Sequence, residues 1–248
     1  MPSGPISTQF HDVDHPLADA AELAWYEARL PRDAGPVLDA MCGSGRLLVP
    51  LAKRGLHVHG VDSSAARLDA CRARLSDASL DAPLFRQNVA ELNVPFRYGA
   101  VFIGASSFQH IADEKSARAA LVRIKAHLVP PGVLLLDLSI PEVAMHPPAA
   151  PLVEVRAVKL ADGERITLRS ETSVNAYAHQ LDIAMRYEKR DAGGTIARED
   201  ESLTVTWYDD DRIHTLLEAA GFEDITTDPP PRAREGAHAF AVRACASR

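Results

Sequence analysis

Between Pro36 and Ile140 short apolar runs alternate with amphipathic stretches, and this alternation limits the folds open to the chain. Residues 36–40, 57–61, 83–87 and 100–104 read as strands. Residues 133–140 (VLLLDLSI) form a long apolar run, as expected of a strand buried on both faces of a parallel sheet. The spacing predicts helices over 17–30, 46–54, 64–76 and 114–128. Pro50 requires the second helix to begin near Arg46, so that the missing N–H falls in the first turn, and Gly55 closes that helix. Ser63 and Asp113 are the predicted N-caps of the next two helices. Ala117, Ala120, Leu121, Ile124 and Leu128 share one face, and Pro130, Pro131 and Gly132 end that helix. Strand–helix alternation of this kind implies a doubly wound α/β sheet.

The pattern changes after residue 140. Four β-like runs, 152–160, 165–175, 180–189 and 196–207, are separated by turn signals at Asp162-Gly163, 175–178 and Gly193-Gly194. They read as an antiparallel sheet inserted into the α/β unit. A helix over 209–220, ended by Gly221, and strands near 223–227 and 237–244 then return to that unit. The expected organisation is a cofactor-binding core with an N-terminal helical cover (1–140), an antiparallel insertion serving as a substrate lid (141–207), and a helix and hairpin completing the core sheet (208–248).

Bulk properties narrow the function classes. The 248 residues are 46% hydrophobic and 25% charged, with a formal net charge of -7. That balance gives no general attraction to nucleic acid or anionic membrane. Three cysteines, Cys42, Cys71 and Cys245, without paired spacing read as reduced thiols, and no metal-ligand spacing occurs. The opening MPSGPISTQF lacks a signal-peptide pattern, and no apolar run is long enough to span a bilayer. The expectation is a cytoplasmic protein, monomeric or homodimeric, with no nucleic-acid or membrane partner.

The segment VLDAMCGSGR, Val37 to Arg46, sits at a strand-to-helix turn, and Asp62 ends the next strand. Glycines at such a turn let backbone approach a ligand, and a carboxylate after the second strand suits a ribose diol. Several nucleotide-like cofactors meet that description. A dinucleotide fingerprint wants a third glycine, where Leu48 stands here, and Asp39 ahead of the glycines suits a cationic or amine-bearing ligand. S-adenosylmethionine (SAM) has a sulfonium, an amino group and no phosphate.

With these residues in view, the chain resembles the class I SAM-dependent methyltransferases over roughly residues 20–140 and the final helix and hairpin. Residues 39–45 (DAMCGSG) resemble the family's first motif, with Met41 where a glycine is common. Asp62 matches the ribose-binding acid, and Asn88-Val89 the position that meets the adenine amine. Residues 128–134 (LVPPGVL) resemble Leu-x-Pro-Gly-Gly-x-Leu, and residues 98–101 (YGAV) resemble Phe-Asp-x-Val with Gly99 for the acid. The resemblance implies a Rossmann-like seven-stranded sheet with an inserted antiparallel sheet. It implies SAM as cofactor, leaving as S-adenosylhomocysteine, held by Asp39, Met41, Gly43, Ser44, Gly45, Asp62, Ser63, Asn88, Val89 and Ala105.

Methyl transfer from a sulfonium needs mainly alignment and exclusion of water, with a base only where the acceptor must lose a proton. By the same resemblance, residues 104–110 (GASSFQH) line the methyl group. His110 is the candidate base, with a structural imidazole as the alternative. Ser106, Phe108 and Gln109 are candidate contacts to the acceptor. Trp25, Tyr26, Tyr177 and Trp207 could stack on a flat acceptor, or could pack the first helix and the insertion onto the core. Tyr208 and His179 are further residues of this kind, while Arg156, Arg169 and Arg186 could bind a carboxylate or carbonyl, or be solvated strand residues. The antiparallel insertion resembles small-molecule N-methyltransferases of the glycine and amino-sugar type and enzymes acting on nitrogen heterocycles. The expected acceptor is therefore a small molecule methylated on nitrogen, with a planar nitrogen heterocycle as one candidate. An O-methyltransferase and a non-catalytic SAM-binding protein are the alternatives.

Overall fold

The computed structural model describes residues 3–191, 193–194, 196–232 and 236–246. The chain opens with two helices, α1 (Pro5–Asp14) and α2 (Ala20–Glu27). Alternation then begins: β1 (Val37–Ala40), α3 (Leu48–Lys53), β2 (Val58–Asp62), α4 (Ala65–Asp77), β3 (Leu84–Arg86), β4 (Tyr98–Ile103), α5 (Glu114–His127) and β5 (Leu128–Pro141). A single turn, α6 (Glu142–Met145), leads to β6 (Leu152–Lys159), β7 (Arg165–Asn175), β8 (Gln180–Arg190) and β9 (Ile196–Thr206). The chain closes with α7 (Asp210–Ala219), β10 (Glu223–Asp228) and β11 (Ala237–Ala246).

Seven strands form the main sheet in the order β10-β11-β5-β4-β1-β2-β3, and β6 to β9 form a separate sheet in sequence order. The five strands β1 to β5 run parallel, while β11 is antiparallel to both β5 and β10. This is the Rossmann-like sheet with an antiparallel insertion. Leu38, Val101, Ile103, Leu134 and Leu136 pack on one face against α5 and α7 through Leu121, Ile124, Ile213 and Leu217. Val37, Ala100, Phe102 and Leu135 pack on the other face against α2, α3 and α4 through Tyr26, Leu48, Leu51 and Leu68. No helix among the described residues is long and apolar enough to cross a membrane.

Several boundaries differ from expectation for identifiable reasons. The 17–30 helix is shorter, because the Asp19 side chain accepts the Glu22 amide and sets the start at Ala20. The N-cap of α4 is Ser64 and not Ser63, since Ser64 Oγ accepts the Arg67 amide while Ser63 is exposed. Pro50 does lie in the first turn of α3, which begins at Leu48. The 133–140 strand starts earlier, at Leu128 directly after α5, and carries a cis Pro130–Pro131 bond. Helix α1 has no counterpart among the helices that the sequence spacing predicts. Its apolar residues Ile6 and Phe10 pack on Ile166, Leu168 and Tyr187 of the insertion.

Polar ties fix α1 between the two sheets. Glu199 of β9 accepts the amides of Gly4, Ile6 and Ser7 at 3.1, 2.9 and 3.2 Å, which satisfies donors that a helix start leaves open. Arg156 of β6 pairs with Asp14 at 2.6 Å. On the core side, Asp12 pairs with Arg74 at 3.1 Å and accepts the Ser44 hydroxyl.

Candidate active site

Parallel strands deliver their C-terminal ends to one edge, so the segments after β1, β2, β3 and β4 converge there. The strand order reverses between β1 and β4, the point where open α/β sheets bind ligands. Met41, Gly43 and Gly45 all have positive φ, at 69, 55 and 81°, so the loop after β1 curls with its backbone facing outwards. Met41 adopts this left-handed conformation although it has a side chain, at the position where the family commonly has glycine.

The two glycines serve different needs. A Cβ on Gly45 would lie 2.7 Å from Cys71 Sγ and 2.8 Å from a Val49 methyl, so glycine there permits helix packing. A Cβ on Gly43 would meet nothing closer than Arg67 Nη1 at 3.6 Å. Gly43 therefore leaves backbone open to a ligand.

Asp62, partly exposed at the end of β2, accepts the Gly43 amide on one oxygen at 2.9 Å and the Ser64 amide on the other at 2.8 Å. A carboxylate has about four acceptor sites, so two remain for a ribose diol. Asn88 is exposed just beyond β3 and its side chain accepts the Ala90 amide at 3.0 Å, while Val89 is buried beside it. Ala105 is exposed at the end of β4, and its amide is held by Asp137 at 3.0 Å. Helix α3 has only six residues and Pro50 removes an N–H from its first turn, which makes a poor phosphate cradle. An open glycine, a half-free carboxylate and a helix start poorly suited to phosphate together fit a phosphate-free nucleoside such as SAM.

Asp39 is buried at 3% exposure beneath this loop. Burial pushes its carboxyl well above the ordinary carboxylate range, and the neighbouring Cys71 and Asp62 act in the same direction. Ser44 is also buried, its hydroxyl held by Asp12 and by Arg74 at 3.0 Å. Cys42 and Cys71 are buried thiols hydrogen-bonded to each other. Arg46 forms a two-pronged pair with buried Glu22 at 2.8 and 2.5 Å, pinning α2 over the loop.

The predicted acceptor contacts separate into two groups. Ser106 is buried and shares a hydrogen bond with Ser139 at 3.0 Å. Gln109, 1% exposed, donates to the carbonyls of Ser139 and Thr206 and accepts the Ser139 amide, so its polar atoms bind the 107–110 turn to β5 and β9. Phe108 is core, packed on Tyr208 with ring centroids 5.7 Å apart. Trp25 donates to the Pro229 carbonyl and stacks under Arg29, and Tyr26 packs on Phe102. Trp207 is buried and stacked on His179. Tyr177 is wholly exposed at the tip of the β7–β8 turn. These aromatic side chains therefore pack elements together or face solvent. Arg169 and Arg186 pair with Glu171 and Asp200.

His110 does have company. It is exposed at the end of the 107–110 turn and contributes to the electrostatics of His11 on α1. His11 Nε2 lies 3.1 Å from the Tyr187 hydroxyl, and its ring stacks on His15. Burial lowers His11 to about 3, and Arg67, His15, Arg156 and His110 add to the effect. His11 is thus a neutral imidazole at physiological pH. Burial also raises the Tyr187 hydroxyl above its usual range. His11, Tyr187, Arg67 and His110 bring α1, β8, α4 and the 107–110 turn to one place beside the Gly43 loop.

His11, Tyr187, Arg67 and Asp137 are not among the residues the sequence singles out. Of the four, Asp137 carries a local signal: a carboxylate inside an apolar strand is costly unless it binds something. His11 and Tyr187 meet only through tertiary packing across the insertion.

The fold, the glycine loop and Asp62 define an α/β protein built for a nucleoside-type cofactor. A family described as "Methyltransferase domain" matches residues 37–132. Over 205 residues the chain is 30% identical to the dTDP-3-amino-3,6-dideoxy-alpha-D-glucopyranose N,N-dimethyltransferase of Streptomyces fradiae, covering 82% of this chain and 76% of that protein. A SAM-dependent methyltransferase from Clostridium acetobutylicum ATCC 824 has the same fold, with a TM-score of 0.76 at 15% identity over 96% of each chain. The sugar N-methyltransferase KedS8 from Streptoalloteichus sp. ATCC 53650 gives 0.71 at 21% identity over 92% of this chain and 88% of that one. The chain belongs to the class I SAM-dependent methyltransferases. Its cofactor is SAM.

Proposed function

We propose that this enzyme methylates the amino nitrogen of a small molecule, with an amino sugar as the favoured acceptor class. The observation that carries the reading is the 30% identity, over most of both chains, to an enzyme named for N,N-dimethylation of an amino-sugar nucleotide. The aromatic residues support it indirectly. Trp25, Tyr26 and Trp207 are occupied in packing, which removes the basis for preferring a planar heterocycle.

In this reading SAM lies along Gly43, Asp62, Asn88 and Ala105 and supplies an electrophilic methyl group. Gly43 offers open backbone, Asp62 the acceptors for the diol, and Asn88 a polar group for the adenine. The acceptor sits between the 104–110 segment, α1 and the insertion sheet, which serves as its lid. The amine must present its lone pair in line with the methyl, so a protonated amine is unreactive. As the C–N bond forms and the C–S bond breaks, the nitrogen becomes cationic and then releases its proton. His110 is exposed at that position and takes the proton, while His11 and Tyr187 shape the wall by hydrogen bonding to each other.

Turnover against matched acceptors tests the reading. A sugar nucleotide carrying an amino group and its hydroxyl counterpart are compared by S-adenosylhomocysteine release. The expected result is at least a hundredfold higher kcat/KM for the amine. Equal or greater turnover of the hydroxyl compound favours the O-methyltransferase alternative and sinks the proposal.

A further inference from the structure

We propose that Asp137 and Ser139 of β5 are positioning residues for methyl transfer: together they hold Ala105 and Ser106, two consecutive left-handed residues at the end of β4, in the conformation that the transfer requires. The proposal rests on the reading that the 104–110 segment borders the transferring methyl group, and not on whether nitrogen or oxygen receives it.

The turn itself is costly. Ala105 and Ser106 have φ of 55 and 56°. Residues with a side chain visit this region at a cost, and two in succession persist only where their surroundings over-determine them. Glycine would adopt the same turn without that cost. The chain places its glycine one residue earlier, at Gly104, where a Cβ would run into a Leu47 methyl and lie 2.9 Å from the Tyr26 hydroxyl oxygen.

Strand β5 supplies the restraint. Ile103 is in register with Leu136, so the next residues of β5 lie beside the turn. Asp137, 2% exposed, accepts the Ala105 amide at 3.0 Å. Ser139 is two residues further and therefore on the same face, and its hydroxyl shares a hydrogen bond with that of Ser106 at 3.0 Å. The Ser139 amide donates to Gln109 Oε1 and its carbonyl accepts from Gln109 Nε2, both at 2.8 Å. On its other side β5 pairs with β11 from Gly132 to Pro141 without a register shift, with Asp137 opposite Ala241 and Ser139 opposite Ala239. The anchor cannot shift without breaking the sheet.

The choice of a carboxylate also has a use. Burying one is costly unless it is bonded and paired. The Arg46 guanidinium, which pairs with Glu22 and so pins α2 over the glycine loop, lies within electrostatic reach of Asp137. One side chain is thereby coupled to both halves of the site, the loop after β1 and the turn after β4. Gln109 in turn leads directly to His110. In-line displacement tolerates little misplacement, and an error of about 1 Å can cost on the order of a hundredfold in rate. A left-handed pair fixed from behind presents the same backbone at every turnover.

Kinetics, SAM titration and amide hydrogen exchange on the full chain test the assignment. The acceptor is whichever of the matched amine and hydroxyl compounds the wild type turns over. Asp137→Ala should lower kcat about thirtyfold or more, with the SAM dissociation constant and the acceptor KM within about threefold of wild type. In the SAM-free variant the amides of residues 105–109 should exchange faster than in the wild type, while those of β5 keep their protection. Asp137→Asn keeps an acceptor for the Ala105 amide and should restore kcat to within about fivefold of wild type. Ser139→Ala removes only the hydroxyl tether and should lower kcat about fivefold with SAM affinity unchanged. A folded Asp137→Ala with wild-type kcat overturns the proposal, as does a loss confined to SAM affinity, or an Asp137→Asn as slow as the alanine variant. Unchanged exchange at residues 105–109 in Asp137→Ala overturns it whatever acceptor the enzyme uses. Where Asp137→Ala does not fold, Ser139→Ala decides, and a wild-type kcat there overturns the proposal.

Discussion

Asp62 accepts the Gly43 amide at 2.9 Å, so the carboxylate proposed to meet the ribose also holds the glycine loop proposed to meet the rest of the cofactor. Asp62→Ala should therefore lose both the diol contacts and the loop's anchor. Hydrogen bonds to a charged group contribute about 1.5–3 kcal/mol, so SAM affinity should fall roughly ten- to a hundredfold. Asp62→Asn, which keeps an acceptor for Gly43, should lose less. Calorimetric titration of both variants checks the order.

Asp39 provides a pH test. Its folded-state carboxyl is raised by burial above the value in the unfolded chain. The native state holds that proton more tightly, so the group's contribution is present at low pH and declines as pH rises from about 4 towards the raised folded value. Asp39→Asn removes this decline. The variant should gain melting temperature relative to the wild type as pH rises, and a SAM titration across the same pH range should show weaker binding than the wild type only where the wild-type carboxyl is ionised. Melting curves across pH and a SAM titration separate the two effects.

His11 has the opposite sign. Its folded pKa is lowered to about 3 from 6.5. The stability associated with neutral His11 is fully present above about 6.5 and is lost as pH falls from there towards 3. Acidification should loosen α1 from the insertion sheet. His11→Gln, which keeps a polar partner for Tyr187 but does not titrate, should flatten that loss. Limited proteolysis of the first 20 or so residues at about pH 7 and about pH 4.5 reads it, and equal acid sensitivity in the variant would count against it.

Gln109 should behave as a structural bridge. Its amide makes three bonds to Ser139 and Thr206 while fully buried. Gln109→Ala leaves the Ser139 amide without its partner, at a cost of about 2–4 kcal/mol. Melting temperature should drop by roughly 5–15 °C, with SAM affinity near wild type. A stable variant with selectively raised acceptor KM would instead make Gln109 a substrate contact.

The strands of both sheets were legible because their signals are local: apolar runs, alternation, and turn residues at Asp162-Gly163 and Gly193-Gly194. The glycine loop, Asp62 and Asn88 could be assigned to one edge because each follows a parallel strand directly. Aromatic residues had no such address. Trp25 and Trp207 looked equally suited to stacking on a ligand or on the protein, and only packing decides, through Pro229 for one and His179 for the other. Helix α1 is not legible in the sequence because its ends are set by Glu199 and Arg156, which lie 142 to 195 residues away. The cluster around His11 was hidden with it.

The proposed transfer of a methyl group from SAM to a nitrogen of a small acceptor is tested most directly by carbon NMR of the product formed with SAM labelled at the methyl carbon and an amino-sugar nucleotide. The expected result is an N-methyl resonance, accompanied by equimolar S-adenosylhomocysteine. A label found only as an O-methyl ether would contradict it.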